Sequence, residues 1–407
     1  MLRRGLLHSI RPHDDPLHGG APRRRGVAYD DDLIGLWLIG ASGNVATTVA
    51  VGLAALRRGL TEPTGLVTEL PLLDGADLVA LDDIALGGCD LRAPDVLERA
   101  RRLAHVDRVL PERLVDQVAG DLEQVERAIT PGAAGGATAL AGVQAELRRF
   151  AGRHGIERAV AINLASTEAP WDAALPDDPD DLRRHVEAGG ELPPSALYAL
   201  ACIDLGWAYI NFTPSLGSSL PALDQLALQR GAVHGGRDGK TGQTLLKSAL
   251  APMFAARNLR VLSWFGQNIL GNEDGRTLSD PDARRSKQRS KGETLPGMLG
   301  YRPSAQVDIS YVPPLGDWKV AWDHVLFEGF LGTRMMMMTT WQGADSALAA
   351  PLVIDLARLC DRALRRGERG LLTYLAMFFK EPMGVTEQAH ERQVALLLRH
   401  LAADPNP

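Results

Sequence analysis

Cysteine is scarce: Cys89, Cys202 and Cys360 are the only three in 407 residues. They stand far apart, none forms a Cys-x-x-Cys pair, and none has a histidine at ligand spacing. That argues against a structural zinc site and fits a reducing, cytoplasmic setting. Aromatic residues make up only 5%, and none interleaves with the main basic cluster of a chain whose net charge is −6. Both facts speak against a nucleic-acid partner. No apolar run reaches membrane-spanning length, so no membrane association is expected. The first 28 residues are rich in Arg, Pro, Gly and His without a continuous apolar segment. They read as a mobile tail and a poor signal peptide. No repeat of solenoid period is present. Also missing are the fingerprint Gly-x-Gly-x-x-Gly and the His–Asp or Tyr-x-x-x-Lys pair of a simple dehydrogenase.

What is present is an ordinary globular composition, 45% hydrophobic and 23% charged, long enough for two domains. Leu33 to Ile39 is an apolar run of strand length. Gly40-Ala41-Ser42-Gly43-Asn44 follows it, then an Ala-rich helical segment from Val45 to Leu56. Strand, glycine turn and helix begin a dinucleotide-binding unit, because the helix N-terminus offers free N–H groups to a pyrophosphate. The spacing is Gly-x-x-Gly, which an ordinary β–α turn also satisfies. Gly65 to Leu70 reads as a second strand. Glu69 at its end and Asp90 are both candidates for the adenosine ribose. Alternating strands and helices then continue to about residue 235, which predicts a parallel doubly wound sheet. Beyond Thr241 the runs 306–312, 324–330 and 334–340 predict a β-rich, antiparallel unit. Met335 to Met338 reads as a strand covered on both faces. Helices are expected over 345–366, 371–379 and 385–401.

The stretch from Ser263 to Lys291 is the densest in polar chemistry. An apolar strand, Val261 to Phe265, leads into an Asn-, Gly- and Asp-rich loop over 268–282 and ends in two Arg-Ser-Lys triplets. In a helix Lys287 and Lys291 share a face. A solvated basic turn accounts for the same residues; chemistry on a small polyanion is the sharper reading.

These features occur within a set of motifs that resembles the inositol-3-phosphate synthase (myo-inositol-1-phosphate synthase) family. They are GASGNVATT (Gly40 to Thr48), GGCD (Gly87 to Asp90), NLASTE (Asn163 to Glu168) and PSALYA (Pro194 to Ala199). GRDGKTGQT (Gly236 to Thr244), NILGNEDG (Asn268 to Gly275), RSKQRSK (Arg285 to Lys291), LGDWK (Leu315 to Lys319), ADS (Ala344 to Ser346) and FFKEP (Phe378 to Pro382) follow in order. The resemblance implies an α/β fold: a Rossmann-type doubly wound NAD-binding domain with an inserted α+β catalytic and tetramerisation domain. It places the NAD domain at 29–240, the insertion at 241–344 and returning C-terminal helices at 345–407.

The implied reaction closes a hexose 6-phosphate to a cyclitol phosphate with NAD held throughout. The C5 hydroxyl is oxidised, C6 loses a proton, the C6 enolate attacks the C1 aldehyde, and the ketone is reduced. Lys291 and Lys319 would hold phosphate and enolate oxygens, while Lys287 and Lys380 would transfer protons. Clustered, buried ammonium groups lower a lysine pKa towards about 7–8, where it serves as a base. Asp238 would act with Lys380, and Asp274 near the lysines. Gly40, Ala41, Ser42, Gly43, Asn44, Val45, Thr48, Asp90, Asn163, Ser166, Thr167, Ser195, Asp345 and Ser346 would contact NAD. Gln267, Asn268, Asn272 and Ser286 would contact substrate. Singly, Lys319 also fits a surface turn, Lys380 a solvated helix end and Asp345 a helix cap. Departures from the family pattern include Ser42, Val45 and Ala46 in the glycine turn, Cys89, Glu273, and Gly266-Gln267 where a bulkier aromatic pair is usual. The last of these bears on the shape of the sugar pocket. D-Glucose 6-phosphate is the implied substrate. Gln267 in place of a bulky aromatic, beside Gly266, and the small Cys89 could open room that leaves fructose 6-phosphate as an alternative, closed by the same lysines to a five-membered ring.

Overall fold

A computed structural model describes residues 33–133, 139–271 and 295–402. Its first sheet is parallel. β1 (Ile34–Ile39) is buried at every position, as a strand covered on both faces must be. The chain then runs through α1 (Asn44–Arg57), β2 (Ile84–Asp90), α2 (Val96–His105), α3 (Glu112–Arg127), β3 (Ile129–Pro131) and α4 (Ala139–His154). β4 (Arg158–Asn163), α5 (Pro179–Glu187), α6 (Pro194–Asp204), β5 (Ala208–Asn211), α7 (Pro221–Arg230) and β6 (Val233–Gly236) complete the alternation.

The Gly65–Leu70 segment is not a strand. It forms a short 3-10 turn over Val67–Glu69. Buried Asp355 accepts the amides of Val67 and Thr68, both at 2.9 Å, so side-chain acceptors replace a sheet neighbour. The true second strand begins at Ile84.

From α8 (Gln243–Ala256) the chain enters a second sheet, made of β7 (Arg260–Leu270), β8 (Ser304–Tyr311), β9 (Trp318–Glu328) and β10 (Arg334–Ala344). Its order is β10-β9-β7-β8. β9 is antiparallel to β7 and β10, but β8 runs parallel to β7, against the all-antiparallel expectation. The long connection between Leu270 and Ser304 permits that crossover. β7 extends through Asn268 to Leu270, so the loop begins later than the sequence suggests. α9 (Asp345–Arg365) then returns along the first sheet, β11 (Gly370–Leu371) pairs with β6, a 3-10 turn spans Thr373–Phe378, and α10 (His390–Ala402) follows.

The first sheet has the order β11-β6-β5-β4-β1-β2-β3. Strand order therefore reverses between β1 and β4, and the crevice at their C-terminal ends is where doubly wound sheets bind ligands. One apolar core packs α1, α2, α3 and α9 on one face; a second packs α4, α6 and α7 on the other. Met335 to Met338 do form a strand, but Met335, Met336 and Met338 are 38%, 55% and 58% exposed in the single chain. β10 is an edge strand, paired among the described residues only with β9, and its outer residues stand open in the single chain. No helix among the described residues is long and apolar enough to cross a membrane.

Candidate active site

The crevice is built on the turn after β1. Gly40 has φ 87°, and a Cβ there would stand 2.9 Å from the backbone of Ala165, so glycine alone fits. The amides of Gly40 and Ala41 both donate to the Cys89 carbonyl, at 2.9 and 3.0 Å. That bond pins the turn against the end of β2. Asp90, the last residue of β2, accepts from the Ser42 amide at 2.9 Å and the Arg92 amide at 2.9 Å. Glu69, the other ribose candidate, is instead ion-paired to buried Arg358 at 2.7 Å. On geometry Asp90 is the acid at the strand end beside the glycine turn.

Several observations test whether a dinucleotide fits. The N-cap of α1 is Gly43, which brings no side chain of its own to cap the first N–H groups of the helix. The Ser42 and Thr47 hydroxyls are buried without a hydrogen-bond partner among the described residues. Glycines at 40 and 88 let the turn pack tightly on the backbone of Ala165 and Leu38. The donor set suits an anion, and the residues fit NAD.

Around this turn lie the other candidates. Val45 is half-buried in the first turn of α1. Thr48 lies one turn further on and donates to the Asn44 carbonyl at 2.8 Å. Asn163 ends β4; its side-chain oxygen accepts from the Ala165 amide, and its amide donates to Asn211 and Thr213. Ser166 and Thr167 follow on the loop at the same sheet edge. Ser195 sits at the start of α6, where Glu168 accepts from both its amide and its hydroxyl. Glu168 belongs to the NLASTE motif, and its role as the anchor of α6 was not legible without the fold.

Asp317 is the larger omission. It is 2% exposed and accepts from Asn44 Nδ2 at 3.0 Å, the Ser346 amide at 3.0 Å and the Ser346 hydroxyl at 2.6 Å. Burial raises its pKa, and the bonds from Ser346 and Asn44 oppose that rise. One carboxylate therefore ties the glycine turn to the second sheet and to the start of α9. Its position in LGDWK, two residues before Lys319, was the available signal.

Two lysine–carboxylate pairs stand beside this junction. Lys319 Nζ lies 3.4 Å from Asp345 Oδ2, and Asp345 Oδ1 accepts from Thr241 Oγ1 at 3.0 Å. Lys380 Nζ donates to Asp238 Oδ1 at 2.8 Å, and its amide donates to the Asp238 carbonyl at 2.6 Å. Asp238 has φ 60°, a left-handed conformation that Asp tolerates better than most residues. Asp238 and Thr241 belong to one short segment, so both pairs are held by the entry to α8. All four pair members are less than 20% exposed.

β7 separates two residues that the sequence placed together. Side chains alternate along a strand, so Asn268 faces inward while Gln267 faces the other way. Asn268 is fully buried and donates to Gln243 Oε1 at 2.7 Å. Gln267 donates to Ser310 Oγ at 3.0 Å. At Gly266, on the same face as Asn268, a Cβ would overlap Gln243 Nε2 and approach Asp323. Cys89 is buried beneath the glycine turn with its thiol on the Tyr198 hydroxyl, and burial pushes its pKa up to about 11. Asn272, Asp274, Ser286, Lys287 and Lys291 lie outside the described residues.

A family model described as myo-inositol-1-phosphate synthase, of the NAD-binding type, matches residues 34–401. Inositol-3-phosphate synthase 1 of Bacteroides thetaiotaomicron is 32% identical over 430 aligned positions, covering 92% of this chain and 96% of the relative. The protein of the same name from Bos taurus is 29% identical, covering 86% and 74%. Among solved structures, inositol-3-phosphate synthase of Caenorhabditis elegans superposes with a TM-score of 0.79 at 24% identity, over 90% of this chain and 85% of that one. A myo-inositol-1-phosphate synthase-related protein of Thermotoga maritima gives 0.73 at 25% identity, over 91% and 98%.

Proposed function

We propose, for a chain that belongs to the myo-inositol-1-phosphate synthase family, conversion of D-glucose 6-phosphate to 1D-myo-inositol 3-phosphate. The observation that carries this reading is the Asp317 junction. It joins a dinucleotide-type glycine turn to the start of α9, where Asp345 pairs with Lys319 and accepts from Thr241, three residues after the Asp238 that holds Lys380. Bound NAD supplies hydride acceptance and return at one carbon of the sugar.

The chain's own groups supply everything else. Lys380, held by Asp238, moves protons to and from substrate oxygens. Lys319, held by Asp345, places fixed positive charge where an enolate oxygen develops, an effect that is strongest in a water-poor site. The glycine turn and Asp90 hold the dinucleotide, with Asn44, Asn163, Thr167 and Ser195 around it. Lys287, Lys291 and Asp274 complete the cluster by family resemblance, Lys291 on the phosphate and Lys287 in proton transfer. The aldose is preferred over the ketose because it is the substrate that the family resemblance implies. We assign 29–240 and 345–407 to the NAD-binding unit and 241–344 to an inserted catalytic unit. A homotetramer is the proposed assembly, with a second copy covering the exposed methionines of β10 and neighbouring Phe330 and Leu331, each 86% exposed.

The test is incubation of purified protein with NAD and a panel of hexose 6-phosphates, with products identified by carbon NMR. Glucose 6-phosphate deuterated at C5 should give inositol phosphate that keeps the label. Stoichiometric NADH accumulation would sink the cyclase reading. A hydroxymethyl signal beside a quaternary ring carbon, from fructose 6-phosphate only, would replace the substrate.

A further inference from the structure

A chain of amides ends at Asn268 with one oxygen left over. Along β9, Lys319, Ala321 and Asp323 alternate onto one face; opposite them on β7 stand Leu270, Asn268 and Gly266. α8 lays Gln243 over that face. Asp323 is fully buried, and its Oδ1 accepts from the Trp264 indole N–H at 2.8 Å. An indole nitrogen only donates, so that carboxyl oxygen must accept. Gln243 Nε2 lies 2.9 and 3.1 Å from the two Asp323 oxygens. Turned over, Gln243 would set its carbonyl oxygen against both of them. Its Oε1 therefore points towards Asn268, whose Nδ2 donates to it at 2.7 Å. The second atom of the Asn268 amide is then an oxygen. Asn268 is 0% exposed, and this Oδ1 has no hydrogen-bond partner among the described residues. Buried acceptors are rarely left unpaired, and one that adjoins a reaction site calls for a ligand donor. Gln243 follows Thr241, the partner of Asp345, by two residues. Leu270, the next residue on the same face of β7 as Asn268, pairs in register with Lys319.

We infer that Asp323 is a positioning residue that sets the polarity of the Gln243–Asn268 relay, so that Asn268 meets the substrate as an acceptor for a sugar hydroxyl. Asp323 touches no substrate; it acts through two amides. Gly266 belongs to the same device, since any Cβ at that position would displace Gln243. The inference rests on the hexose-phosphate reading of the site and adds to it the direction of one hydrogen bond, a donor on the substrate and an acceptor on the protein.

Fluorine separates the two polarities, because a C–F group can weakly accept but cannot donate. The wild-type enzyme is assayed first with the hexose 6-phosphates. The 2-, 3- and 4-deoxy and deoxyfluoro analogues of whichever one it cyclises are then compared as substrates or competitive inhibitors. At one ring position the deoxy and deoxyfluoro compounds should bind equally poorly, each about tenfold weaker than the parent, as loss of one buried hydrogen bond implies. In Asn268→Ala that penalty at the same position should vanish. In Asp323→Asn, which can receive Gln243 in either orientation, the penalty for fluorine should fall relative to that for hydrogen. The affinity for NAD should stay unchanged. A deoxyfluoro series that binds like the parent at every position would overturn the assignment without any variant having to fold. So would an Asp323→Asn enzyme with wild-type discrimination. Absence of turnover with every hexose 6-phosphate would instead overturn the functional reading on which the inference rests, and the inference with it.

Discussion

Replacing Asp317 by alanine is the sharpest probe of how the two sheets are joined. The carboxylate holds three donors: the Ser346 amide, the Ser346 hydroxyl and Asn44 Nδ2. Ser346 is 0% exposed, so water cannot reach its two groups when Asp317 is removed. Asn44 is only half-buried and can find solvent. Two stranded buried donors at about 1–3 kcal/mol each set the loss. Against it stands the penalty of burying Asp317 itself, which the raised pKa reports and which alanine removes. The net expectation is a loss of about 2–4 kcal/mol. Asp317→Asn keeps an acceptor for Ser346 and should lose only about 1 kcal/mol. Asn44 flanks the glycine turn, so NAD affinity should fall about three- to tenfold in the alanine variant. Urea unfolding followed by tryptophan fluorescence, with titration calorimetry for NAD, reads both quantities. A stability change below about 0.5 kcal/mol, with NAD affinity unaltered, would show that this carboxylate does not join the units.

Lys380→Ala and Lys319→Ala should each lower turnover by about 10²–10⁴-fold while NAD binding and the melting temperature hold; wild-type rates in either would remove that lysine from the chemistry. Gly40→Ala places a Cβ against the Ala165 backbone at φ 87° and should weaken NAD binding and lower stability together, as calorimetry and thermal melts would show. Lys240 is buried with its pKa lowered to about 8 by desolvation, and it donates to Gln393. Its folded pKa lies below the unfolded value of 10.5, so the wild type gains stability as pH rises through 8 towards 10.5. Lys240→Met should therefore compare best with wild type near pH 7 and lose ground by pH 9.5; a difference independent of pH in urea melts would refute this. Met336→Lys on β10 should leave the chain folded but shift any assembly towards smaller species in sedimentation, and an unchanged mass would remove that edge from the interface.

β1, the Gly40–Asn44 turn and α1 were readable from the chain because their determinants are local: a strand-length apolar run, glycines in a turn and an alanine-rich helix. The alternation that follows was readable for the same reason, and NAD with it through the ordered motifs. Residues whose role depends on a partner far along the chain were not. Nothing near Gly65 announces that Asp355 will take the amides of Val67 and Thr68 and make a turn of an expected strand. Gln267 and Asn268 are neighbours with similar chemistry, and only the phase of β7 turns one inward and the other to Ser310. Gly266 has no side chain, and only the fold shows that Gln243 takes the place a Cβ would occupy. The methionine run was read as buried because composition records hydrophobicity and not the place of a strand at a sheet edge. Asp317 shows the rule most plainly. Its neighbours in sequence mark it as a turn residue, while its three bonds, to Asn44 and Ser346, exist only once two sheets and a returning helix have met.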